Sequence, residues 1–310
     1  MEEKLIATRE SFGEALEEID NDKIIVLDAD VGSSTKSILF KKNHAERFIE
    51  CGIAEADMIG EAAGFATCGK IPIVSTFAAF ATGRCYDQIR NSVCYPNLNV
   101  KIVGTHSGIT VGEDGATHQM LEDINLMRGI PNMTVISTSD DISTKKMIKE
   151  MIKYDGPCYL RLSRRKTPII YTEDAKFEIG KGMQIGDGKD ATIFTTGDVT
   201  IEALKAQEIL KNFNIDVRVC DMYSIKPIDK KLIKKCCEET GILFSLEDHN
   251  VIGGLGSAIT EVLCDECPKK LYRIGINDTF GRSGRSDSLM KYYKIDCDSI
   301  VQEVKSKFMV

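Results

Sequence analysis

Residues 47–70 read RFIECGIAEADMIGEAAGFATCGK. The opening run has the composition of a short strand, Gly52 breaks it, and from Glu55 onward Met58, Ala62 and Ala66 recur every fourth residue. That recurrence places the three on one face of a helix. A short strand passing at once into a helix with a buried stripe is the building unit of a parallel sheet covered by helices. Glu55 has two readings at this point. The helix dipole alone favours a carboxylate in the first turn. Alternatively the carboxylate is placed for chemistry, and the glycine three residues earlier lets another chain or a ligand come close.

The same alternation runs outward in both directions. IIVLDAD, RFIECG, IPIVST, VKIVGTH, TVISTS and CYLRLS read as strands in the first half, with helices between them. ATIFTTG, DVRVCDM, GILFSLE and LYRIGIN read as strands in the second half, with helices near IEALKAQEILKNF, GSAITEVL and SIVQEVKSKF. The expected fold class is therefore α/β with two doubly wound domains. TPIIYTEDAKFEIGKGMQIGDGKD mixes Pro, Gly and charge and reads as the joint. The expected organisation is a first domain over 1–170, a linker over 171–188 and a second domain over 189–310.

Bulk properties narrow the function. A length of 310 residues suits two cores. A formal charge of −7, with no basic block to offset it, argues against nucleic acid or an anionic membrane as partner. No apolar run reaches the length of a membrane span, and MEEKLIATRE does not resemble a secretion signal, so a cytoplasmic location is expected. Eleven cysteines without framework spacing read as small core residues in a reducing compartment. One CxxC, Cys264 to Cys267, follows Cys236 and Cys237, but a second correctly spaced pair is lacking and a zinc site is not expected.

In an open parallel sheet the ligand crevice lies at the carboxyl ends of the strands. Asp30, Glu55, Phe77, His106 and Arg164 all follow expected strands and would line one rim. The loop THSGITVGEDGATHQ, residues 105–119, holds two of the four histidines, an acidic pair and three glycines between a strand and a helix. It reads either as a solvated turn or as a functional loop, and loops of this length in compact domains are often functional. Phe77 and Phe80 stand at helical spacing and could be plain core. VIGGLGSAI could hold an anion at a helix N-terminus, but it lacks a complete GxGxxG and reads better as a tight turn.

GIAEADMIGEAAGFA, STFAAFATGRCYDQIR and VGTHSGITVGEDGATHQMLEDI, in this order, resemble the pyrimidine-binding domain of transketolase. EDHNVIGGLGSAITEVL and GINDTFGRSGR resemble its C-terminal domain. The resemblance implies a parallel-sheet domain of the thiamine-diphosphate-binding fold followed by a transketolase C-terminal-like α/β domain. It also implies a split enzyme. The family holds the cofactor diphosphate and its Mg2+ or Ca2+ through a GDG motif and a later Asn on a preceding domain. That domain is expected here on an N-terminal partner subunit, in an α2β2 assembly that is inactive without it, so metal ligands are not expected in this chain. Gly186-Asp187-Gly188 spells GDG but leads into the strand ATIFTTG, not a helix, and reads as a linker turn.

The resemblance implies roles for particular residues. Glu55 would hydrogen-bond the pyrimidine nitrogen of thiamine diphosphate and so favour the imino tautomer, which takes a proton from the thiazolium ring. Phe77 and Phe80 would hold the pyrimidine, with Asp30 near the thiazolium. Arg9, Ser34, His106 and Arg164 would bind a sugar phosphate, guanidinium groups giving bidentate bonds. Asp114 and His118 would meet the hydroxyls of the ketose donor. Glu55, His106 and His118 are the expected catalytic residues. Gly83, Ser107, Gly108 and Thr110 depart from the family pattern. The expected activity is transfer of a two-carbon glycolaldehyde unit from a ketose phosphate to an aldose phosphate. The alternatives are a 1-deoxyxylulose-5-phosphate synthase-like enzyme, a 2-oxo-acid dehydrogenase β subunit, or a non-catalytic regulatory or scaffold subunit.

Overall fold

IIVLD, residues 24–28, is apolar almost throughout and buried at every position, as a strand covered on both faces must be. The computed structural model, which describes residues 4–308, places it inside a parallel sheet. In chain order the strands are β1 (Leu5–Ala7), β2 (Ile24–Asp28), β3 (Phe48–Glu50), β4 (Ile71–Phe77), β5 (Lys101–Thr105), β6 (Thr134–Ser137) and β7 (Cys158–Arg161). There follow β8 (Lys166–Pro168), β9 (Met183–Ile185), β10 (Ala191–Thr195), β11 (Val217–Asp221), β12 (Ser224–Lys226), β13 (Ile242–Asn250) and β14 (Leu271–Ile276).

The first sheet has seven strands in the order β12-β6-β7-β5-β4-β2-β3, parallel except where β12 meets β6. The second has five in the order β14-β13-β10-β11-β9, parallel except at the β9 edge. The chain is thus α/β, as the alternation of strand and helix patterns implies. Helices cover both faces of the first sheet. On one, the helix Glu55–Thr67 packs Met58, Ile59 and Ala62 into a core with Leu27, Val74 and Ile102. On the other, Phe12 and Leu16 of the helix Thr8–Glu17 meet Met147 and Met151 of the helix Asp141–Lys153.

Three features differ from the sequence reading. The segment 171–188 carries β9, a three-residue edge strand antiparallel to β11. Residues 186–188 form the turn after it, where a Cβ on Gly188 would lie 2.1 Å from the Arg218 nitrogen. The strand β12, from beyond residue 189, joins the first sheet. Three residues are too few to show a period of two, so neither strand has a signature in the sequence. Among the cysteines, Cys85, Cys94, Cys158, Cys220 and Cys236 are buried and unbonded as small core residues. Cys237 and Cys267 depart from that expectation: they form a disulfide, because the helix Lys230–Glu239 lies beside the end of the helix Leu255–Glu266. No helix among the described residues is long and apolar enough to cross a membrane.

Candidate active site at the rim of the first sheet

Strands β4, β5 and β7 end on a common edge, and the residues that follow them converge. Phe77, the last residue of β4, stacks on Phe80 at 5.5 Å between ring centroids and on His106 at 3.9 Å. His118 stands edge-on to Phe80 at 5.4 Å. Phe80 lies in a π-helical turn, Ala79–Arg84, whose wide winding carries Arg84 over the Phe80 ring, 4.2 Å from its centroid. From there Arg84 Nη1 donates to Glu55 Oε1 at 2.8 Å. Glu55 begins its helix and is only 6% exposed, so its carboxylate is a buried acceptor in the positive end of the helix dipole. Arg84 therefore joins the carboxylate to the aromatic stack.

A basic group borders that stack. Arg9 Nη1 donates to the Ser34 carbonyl at 2.8 Å and to His106 Nε2 at 2.9 Å. A guanidinium can only donate, so Nε2 is the acceptor and the ring proton sits on Nδ1, 2.9 Å from Thr105 Oγ1. Burial, with the charges of Arg9 and Arg164 added, pushes the His106 imidazole down to about 3 and keeps it neutral. Burial and the charge of Arg164 likewise pull Arg9 below the usual guanidinium range. Arg164 Nη1 donates to the Val111 carbonyl at 3.1 Å and lies 3.4 Å from Asp114 Oδ2. His106 has φ +55°, held by this stacking and bonding.

Of the sequence-derived residues, Glu55, Phe77, Phe80, His106 and His118 thus form one cluster, with Arg9 and Ser34 bonded to its edge and Arg164 paired with Asp114 beside it. Asp30 stands apart. It is exposed, at φ +60°, and its N–H donates to Glu50 Oε1 at 2.7 Å. The buried carboxylate at that strand end is Asp28, which accepts from Ser37 Oγ, Thr35 Oγ1 and the Val31 nitrogen.

The loop 105–119 is fastened from the second half of the chain. Asp248, on β13, accepts from the Ile109 nitrogen at 3.0 Å and the Thr110 nitrogen at 3.4 Å, and Asp198 accepts from Thr110 Oγ1 at 3.1 Å. Gln119 Nε2 donates to the carbonyls of Ile109, Gly112 and Arg282. Burial and then the Asp198 charge push Asp248 up to about 7. Sequence reasoning missed Arg84, Asp198 and Asp248. The LEDHN run that holds Asp248 could have drawn notice, because three ionisable residues in succession at the end of an apolar strand are costly to bury without partners. The turn after it is occupied from within: Glu247 accepts from the Leu255 and Gly256 nitrogens at 2.7 and 2.9 Å, taking the helix N-terminus at which an anion could sit.

Two family models match the chain, one on each half. Residues 4–169 match the family model described as the pyrimidine binding domain of transketolase, and residues 180–300 match the transketolase C-terminal domain. A Methanocaldococcus jannaschii protein named as a transketolase C-terminal section is 52% identical, over 96% of this chain and 94% of its own. Rat transketolase is 41% identical over 97% of this chain, which spans 49% of the rat protein. Among solved structures, a split-gene transketolase described as an inactive β4 tetramer superposes with a TM-score of 0.91 at 46% identity, covering 97% of this chain and 98% of that one.

Proposed function

Because this chain belongs to the transketolase family, we propose that it is the pyrimidine-binding and C-terminal subunit of a split transketolase and acts with a partner subunit that supplies the diphosphate-binding domain. The buried Glu55 carboxylate beside the Phe77–Phe80 stack is the observation that carries this reading. A flat heterocycle with one basic ring nitrogen needs an apolar face and an acid at its edge, and these residues fit that need. Thiamine diphosphate, the cofactor of the family, supplies when bound the electron sink for breaking a carbon–carbon bond. Glu55 would hold a proton at the pyrimidine nitrogen while Phe77 and Phe80 keep water from the ring.

The substrate class follows from charge. Arg9, Arg164 and the neutral His106 would form the phosphate site of the sugar, His106 by orienting Arg9 through Nε2, since its Nδ1 proton goes to Thr105. Asp114 and His118 would take hydroxyl groups of the donor, and Arg164 would exchange its contact with Asp114 for the ligand. The transfer proposed is of a two-carbon ketol unit between phosphorylated sugars. The diphosphate and its metal would be held by the partner, in an α2β2 assembly. Gly52, Gly60 and Gly64 leave open space where a Cβ would stand, and Ile53 is 78% exposed beside them, which suits the approach of that second chain.

The test is co-expression with a GDG-bearing partner and assay of xylulose 5-phosphate with ribose 5-phosphate, against pyruvate as the competing donor. The pair should be active with the sugars, the lone chain inactive, and Glu55→Ala in the pair slower by about 10²- to 10⁴-fold. Turnover of pyruvate in place of the ketose would instead support the synthase or dehydrogenase reading, and undiminished activity of the Glu55 variant would remove the proposal's basis.

A further inference from the structure

We propose that Asp248 is a positioning residue for the substrate-facing loop 105–119, so that the C-terminal half of the chain serves the site by holding that loop in its working shape; this rests on the functional reading above. Asp248 is 2% exposed and projects from β13 across the boundary between the two sheets. One oxygen takes the Ile109 amide and the other the Thr110 amide. The same residue is fixed through its main chain, since Arg161 Nη2 donates to the Asp248 carbonyl at 2.7 Å while Arg161 Nε is held by Asp123 at 2.8 Å. Asp248 is thus attached to β7, one of the strands that build the rim.

The loop is shaped to receive this carboxylate. Gly108 has φ +73°, and a Cβ there would stand 2.0 Å from Asp248 Oδ2. Glycine is needed at that position for both conformation and space. Asp198 adds a second carboxylate from the C-terminal half, on the Thr110 hydroxyl. Two buried acids therefore grip residues 109 and 110, between His106 on one side and Asp114 and His118 on the other. None of the bonds that Asp248 makes goes to a residue expected to touch substrate. Its effect must pass through the loop backbone, which is what separates a positioning residue from a catalytic one.

The experiment uses the assembled complex and reads hydrogen exchange of the peptide 105–119 alongside steady-state kinetics. Loss of one of the two buried hydrogen bonds to the Asp248 carboxyl predicts that Asp248→Asn exchanges this peptide about tenfold faster, and that KM for the ketose phosphate rises about tenfold while kcat changes less. Thr110→Val, which removes only the Asp198 contact, should shift both in the same direction by less, and it serves if Asp248→Asn does not fold. Unchanged exchange in the loop, or a loosened loop with unchanged KM, would overturn the proposal. If the wild-type complex transfers no ketol group, the functional reading fails, while the exchange measurement still decides whether Asp248 holds the loop.

Discussion

At the scale of single residues, His106 shows how neighbours fix a protonation state. Its Nε2 faces a donor that never loses its proton, and its ring is stacked on Phe77. The folded chain holds the imidazole down to about 3, whereas in the unfolded chain it titrates near the ordinary value of about 6.5. The unfolded state therefore binds the extra proton first as pH falls. The contribution of His106 to stability is complete above about pH 6.5 and declines from there toward pH 3. Ring ¹⁵N spectra near pH 6 should show a neutral imidazole with the proton on Nδ1; a protonated ring would contradict the geometry. The positions of His106 and Phe77 were legible in the sequence, because strand ends could be located by hydrophobicity, whereas Arg9 entered only through the family resemblance. The bond from Arg9 to His106 was not legible, since it joins positions 97 residues apart.

At the scale of elements, the π-helical turn at 79–84 and the capped helix at 255 carry the lesson. The helix beginning at Glu55 followed directly from its periodicity. The π turn did not, because one wide turn leaves no pattern in six residues, yet it alone brings Arg84 to Glu55. The turn VIGGLGSAI was readable as a strand-to-helix turn, but not the carboxylate that fills it, which comes from Glu247 eight residues before the helix. Truncation by Glu247→Ala strands two buried N–H groups at the start of the helix Leu255–Glu266. It is expected to cost about 2 kcal/mol or more, measurable by denaturant unfolding. An unchanged midpoint would mean that water or another group serves those donors.

At the scale of the whole molecule, the two large sheets share more than a linker. β12 pairs antiparallel with β6. Asp221 accepts from Ser139 Oγ at 2.7 Å and Tyr171 Oη at 2.8 Å, and Asp248 holds the loop of the first half. Two doubly wound units were evident from alternating strand and helix patterns, whereas this crossing was not, because each link joins short or polar segments far apart in sequence. A fragment ending at residue 188 would lose all three links and leave the edge of β6 unpaired. It is expected to aggregate, or to melt without a cooperative transition, when followed by circular dichroism beside the full chain; a sharp melt of the fragment would show that the shared strand is dispensable.

The strand that crosses from one half to the other also has a consequence for inheritance. A recombination break between the lobes would sever a β-ladder, so the two are expected to pass through gene fusions and fissions as one indivisible cassette, traded whole among longer polypeptides.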